Sequence, residues 1–205
     1  MEEPADFCEN IDSEWFSEKH ADELLNSLEE FEISPSSGLL KIQELAQDGS
    51  ALAMYLLGDI FLYGKGGLEV NFEDAEYWLE KSFLHGSNEG GFLYAKLLEE
   101  VGRDEKSIEI YRVLADRGFF PAAYCLGLRL FHGDGVPIDK TAGSRYLKIA
   151  KNKGHVPAWH WHSYLARTGK LGIFMIPAGI VEALHLAFHM VFRNNTFEYS
   201  DVYRQ

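Results

Sequence analysis

AAYCLGLRLFHGDGVPIDKTAGSRYLKIAKNKG, residues 122–154, is the stretch on which the fold turns. Its first part carries apolar residues at helical spacing around a small residue, Gly127, and stops at Gly133. A short turn follows, then a second helical run that stops at Gly154. Glycine just past a helical run suits the C′ position, where the backbone turns left-handed and a Cβ is penalised. Residues 122–154 therefore read as two antiparallel helices joined by a tight connection.

The same punctuation recurs outward from this stretch. Helical runs end at Gly49 (LAQDG), Gly86 (SFLHG), Gly118 (LADRG) and Gly154 (AKNKG), at intervals of 37, 32 and 36 residues. Nine residues after each stands a small residue, in turn Gly58, Ala95, Gly127 and Ser163. Such a residue midway along a helix lets a neighbouring helix approach closely. Pro121 and Pro157 each follow three residues after a glycine, as the first turn of a helix tolerates. Other hairpin halves read likewise, AMYLLGDIFLYG (53–64) as a first helix and EDAEYWLEKSFLHG (73–86) as a second. One such hairpin cannot cover its own apolar face, so neighbours must stack into a continuous core.

These residues resemble the Sel-1-like repeat family, a relative of the tetratricopeptide repeats. The third repeat carries the pattern in Ala122, Leu126, Gly127, Leu130, Gly133, Gly135, Val136, Asp139, Ala142 and Tyr146. The first shows Ala53, Leu57, Gly58, Phe61, Gly64, Gly66, Asp74, Ala75 and Trp78, with one extra residue in its turn. The second departs through a short turn at residues 100–104, and a fourth begins at Pro157 and loses the pattern after Gly169. The resemblance implies an all-α fold, a right-handed superhelical α/α solenoid of antiparallel helix pairs. It also implies a non-catalytic module that holds a protein or peptide in a concave groove lined by the first helix of each pair. Projected on that face are Tyr55, Asp59 and Leu62; Phe92, Lys96 and Glu99; Tyr124, Leu128 and Phe131; and His160, Tyr164 and Arg167. A row of aromatic rings edged by mixed charge suits an extended peptide or a helix.

Three regions are expected: an acidic arm and capping helix at 1–36, the repeats at 37–169, and an apolar capping helix with a tail at 170–205. Residues 1–32 hold twelve acids against one base, Lys19, so the arm carries −11 of the net charge of −13. An acidic surface steers toward basic partners, and an inhibitor such as an immunity protein against a toxin fits this size and charge. Within 13–32, Ser13 is the expected cap of a helix whose stripe is Trp15, Phe16, Leu24, Leu25, Leu28 and Phe31. Ser34-Pro35-Ser36-Ser37-Gly38 is expected to break the chain.

No basic stripe for nucleic acid is visible. No P-loop, dinucleotide fingerprint, nucleophile elbow or zinc cysteine set occurs, so no catalytic residue and no cofactor is expected. Cys8 and Cys125 read as free thiols, and the start lacks the basic and apolar regions of a secretory signal, so a cytoplasmic location is expected. IFMIPAGIVEALHLAFHMVF (173–192) is too interrupted for a membrane span; it reads as a helix buried on the last repeat or docked in a dimer. Glu182, His185 and His189 on it form the one arrangement a metal could use, although the acid of an HExxH motif is missing. His155, His160 and His162, among Trp159 and Trp161, read as packing, with His162 at a position that is core in the other repeats.

Overall fold

The computed structural model describes residues 18–168 together with 14, 15 and 180. Among these residues there are nine α-helices and no strand. We number them α1 (Ala21–Ile33), α2 (Pro35–Gln47), α3 (Ala51–Tyr63), α4 (Phe72–Leu84), α5 (Asn88–Glu100), α6 (Asp104–Asp116), α7 (Phe120–His132), α8 (Lys140–Asn152) and α9 (Val156–Arg167). Consecutive helices pair as hairpins, α1 with α2, α3 with α4, α5 with α6 and α7 with α8, and each hairpin packs on the next. The architecture is an all-α superhelical solenoid.

The glycine stops behave as expected. Gly49, Gly86, Gly118 and Gly154 have φ of 96°, 100°, 89° and 85°. The residue after each glycine donates its N–H to a carbonyl five residues back: Ser50 to Leu45, Ser87 to Ser82, Phe119 to Leu114 and His155 to Ala150, at 2.9–3.1 Å. That 6→1 bond is the Schellman closure, which satisfies a carbonyl left over at the helix end. The short turn expected at residues 100–104 closes in the same way. Gly102 (φ 76°) ends α5, and Arg103 donates to Leu98 at 2.7 Å.

The next helix is capped at once. Ser50 accepts from Ala53 N–H and Ser87 from Gly90 N–H, each through its hydroxyl oxygen. After the glycine-rich turns, Asn71 and Asp139 cap α4 and α8 by the same means. Both turns are pinned alike, Asn71 N–H donating to Phe61 and Asp139 N–H to Leu130.

The small residues sit against the second helix of their own hairpin. A Cβ on Gly58 would lie 2.5 Å from Leu79 Cγ, and one on Gly127 2.8 Å from Leu147 Cγ and 3.0 Å from its backbone nitrogen. Ala95 and Ser163, at the same register of α5 and α9, are buried too. Leu57, Leu79, Leu98, Leu114, Leu126 and Leu147 around them are fully covered, so the core runs along the array.

Three expectations need correction. Ser34-Pro35-Ser36-Ser37-Gly38 is not a break: only Ser34 lies outside a helix, and Pro35 starts α2. Proline lacks the N–H that the first turn leaves unpaired anyway. Gly38 lets α2 cross directly over Phe31, whose backbone a Cβ would meet at 2.3 Å. Consequently the half repeat before residue 50 is a complete hairpin, and the boundary at 36/37 falls inside α2. The helix expected over 13–32 is interrupted at residues 18–20, α1 beginning at Ala21, and Leu25 is 50% exposed while Ser27 is buried. Ser13, Phe16, Cys8 and the C-terminal segment with Glu182, His185 and His189 lie outside the described residues. No described helix is long and apolar enough to cross a membrane.

If the closeness of α7 to α8 depends on the missing side chain, Gly127→Leu lowers stability by about 1–3 kcal/mol. For a chain of this size each kcal/mol moves the melting temperature by about 2–4 °C. Circular dichroism melts check this, with Lys148→Leu on the exposed side of α8 as the variant that leaves the midpoint in place.

Candidate functional site

The twelve projected residues fall on α3, α5, α7 and α9, but at different depths. Leu62 and Phe131 are buried, and Phe92 is 9% exposed, its ring 5.7 Å from those of both Tyr111 and Phe119. These three hold helices together and are corrected from groove lining to core. Each stands where a first helix meets its neighbours, and an apolar side chain there is drawn into the seam.

The others remain accessible in part or in full. Tyr55 is partly buried between the two large apolar clusters, and burial, with Asp59 and Glu89 nearby, pushes its hydroxyl well above the usual tyrosine range. Tyr124 is half-buried, its ring 4.7 Å from His155. Leu128 is half-buried, and Tyr164 stacks on Trp161 at 5.2 Å. His160 and Arg167 are exposed.

Much of the charge along this face is already paired. Asp59 bonds to Lys65. Glu99 accepts from Arg129 Nε at 2.7 Å and from the Ser107 hydroxyl at 3.2 Å, while the Arg129 guanidinium also bonds Asp104 at 2.9 Å. Arg129 thus ties α7 to the end of α5 and the start of α6, and Glu99 serves this joint. Lys96 is half-buried, with its ammonium 5.6 Å over the Phe92 ring. Cys125 beneath them is a free thiol that burial, and then Glu99, push up to about 12, so it is protonated at neutral pH.

Two features were not legible in advance. The first is His155, which caps α9: its Nδ1 accepts from Ala158 N–H at 3.2 Å. Burial alone drops its pKa to about 4, so the ring is neutral and the acceptor is kept. It stands one residue after Gly154, where the other repeats have Ser50 and Ser87, so the capping register was the available signal. His162 is also buried, in line with its core register.

The second is an arm contact. The Glu14 carboxylate accepts from the Ser87 hydroxyl at 2.8 Å and from Asn88 N–H at 2.6 Å, at the N-terminus of α5. Trp15 packs on the cluster of Leu24, Ile42, Leu52, Leu57 and their neighbours. Glu89 lies beside Glu14; burial first, and the Glu14 charge second, raise its carboxyl to about 7. Among the described residues no group of three or more His, Cys, Asp or Glu could hold a metal ion.

The repeat model for Sel1 matches residues 51–87 and 121–155, which run from α3 to the cap of α5 and from α7 to the cap of α9. The chain carries Sel1 repeats at these two places. The hairpins α1–α2 and α5–α6, which that model does not match, lack the glycine-rich turn. Over 178 residues the chain is 28% identical to cytochrome c oxidase assembly factor 7A of Xenopus laevis, covering 76% of this chain and 75% of that one. In structure it resembles a Sel1 repeat protein from Oxalobacter formigenes (TM-score 0.62, 19% identity, 74% of this chain and 61% of that one). It also resembles a protective antigen of uropathogenic Escherichia coli strains with an SLR fold (TM-score 0.61, 24% identity, 66% of this chain). The chain spans only 30% of that antigen. Sel1 repeats generally mediate protein–protein interaction, and the fold is typically a non-catalytic scaffold.

The neutral cap gives a pH test. Because the folded pKa of His155 lies below the unfolded value near 6.5, its contribution to stability is intact above pH 6.5 and is lost as the pH falls toward about 4. Glu89, with its raised pKa, acts in the opposite sense between about pH 4.5 and 7, so the whole chain need not show a slope. Comparing His155→Asn with the parent by urea unfolding across pH 4–7.5 isolates the histidine. The variant keeps a side-chain acceptor and loses up to roughly 3 kcal/mol less between pH 6.5 and 4.

Proposed function

We infer that this Sel1-like array is a non-catalytic adaptor or regulator that holds a partner protein or peptide on the face formed by α3, α5, α7 and α9. The observation that carries the reading is a row of half-buried side chains in two adjacent registers, Tyr55 and Tyr124 three residues before the small position and Lys96, Leu128 and Tyr164 one after it. A half-buried ring is already ordered by its neighbours and still offers an apolar edge, so a partner that covers it loses little side-chain entropy. Fixed ion pairs such as Glu99–Arg129–Asp104 hold the hairpins at set distances, which keeps the row in shape. The name of the Xenopus relative, an assembly factor, favours a partner that is itself part of a larger assembly.

Function of this kind lives in the face residues and not in the fold. The test is therefore a variant with Lys96→Glu, Leu128→Ser and Tyr164→Ala, all outside the fully buried core. With unchanged circular dichroism, it is expected to hold partners co-purifying with the parent at least roughly tenfold more weakly, about 1.4 kcal/mol. Capture equal to the parent's would show that the face is not the contact surface.

A further inference from the structure

The contact of Glu14 and Trp15 with the array has the parts of a ligand in a site. The carboxylate comes from a segment more than seventy positions away in the chain and lands on two donors of α5, the Ser87 hydroxyl and the Asn88 N–H. Both lie at a helix N-terminus, where exposed N–H groups and the helix dipole favour negative charge. The adjoining residue, Trp15, covers the apolar cluster built from α1, α2 and α3. One acidic group and one aromatic ring, side by side in sequence, thus meet a polar and an apolar subsite side by side in space.

The fit is incomplete. The Asn88 side-chain oxygen is buried with no hydrogen-bond partner among the described residues, and a carboxylate has no proton to give it. Glu89 also faces Glu14, with the Tyr55 hydroxyl of α3 near both, so an ionised Glu89 repels the segment that sits there. An internal segment that leaves an acceptor unmet and meets a like charge is one that a better-matched segment can displace.

Building on the adaptor reading above, we propose that Ser87, the Asn88 N–H and the apolar cluster under Trp15 form a recognition site for an acidic residue followed by an aromatic one. Residues 14 and 15 fill it in the free chain, and an acidic–aromatic segment of a partner protein takes their place. Tethering gives the arm a high effective concentration, so a free segment competes poorly until the arm is disabled.

The probe is a labelled synthetic peptide of residues 11–20 (IDSEWFSEKH), titrated by fluorescence anisotropy up to millimolar concentration against the full chain. The full-length variant Glu14→Gln/Trp15→Ala is expected to bind it at least tenfold more tightly than the parent. The peptide bearing Glu14→Gln is expected to bind that variant at least tenfold more weakly, a change made in the ligand that cannot unfold the protein. Affinity should rise as the pH falls through about 7, and Glu89→Gln in the variant should remove that dependence. Equal binding to parent and variant, or to neither, overturns the proposal. So does light scattering that finds a parent dimer turned monomeric by the double change, which would make a second copy the occupant. Since Lys96, Leu128 and Tyr164 lie outside this site, their effect on partner capture judges the adaptor reading separately.

Discussion

The missing side chain where a first helix crosses its second is the constraint from which the rest of the array follows. At Gly58 against Leu79 and at Gly127 against Leu147, a Cβ would stand at 2.5–2.8 Å, where no side-chain carbon fits. The helices of a hairpin can then lie close enough for leucines to cover one another completely. With each hairpin this thin, the next packs alongside it and the first helices form a row. The register of the face is set by the same crossing, because residues three before and one after the small position are carried to equivalent places in every repeat.

Closeness of this kind leaves no room for loose helix ends. Every hairpin must reverse within a few residues, and the same closure appears at Gly49, Gly86, Gly118 and Gly154, with a serine or histidine cap following three of the four. The substitution of His155 for serine shows what the position requires. It needs an acceptor on a short reach, and an imidazole meets the need only while burial keeps it uncharged. The phenylalanine at 119 gives no side-chain cap at all, and there Pro121 removes one of the N–H groups a cap would have served.

These rules made the fold legible in the residues and the site only partly so. Glycine spacing is a backbone signal, and it survives whatever the side chains do. Pro35 misled because Ser-Pro-Ser-Ser-Gly has the composition of a loop, whereas the crossing over Phe31 uses the same proline and glycine to start a helix and bring it close. Periodicity placed Phe92 and Tyr124 on one face but carried no measure of depth. Phe92 is drawn down by Tyr111 and Phe119 beneath it, while Tyr124 leans on the His155 ring and stays half open. Depth depends on what the neighbouring repeat offers, which a single repeat's pattern does not contain.

Charge is where composition was least informative. An arm with −11 of the net −13 points to a basic partner if charge is read over whole regions. At the described contact, however, the array meets the acid with a hydroxyl and a backbone N–H. Both donors stand at the N-terminus of α5, where the helix's own peptide dipoles favour a negative charge. Helix N-termini contribute nothing to a count of lysines and arginines. The array can therefore select an acidic segment while its body is close to neutral, and the sign of a partner has to be read at the atoms that meet it.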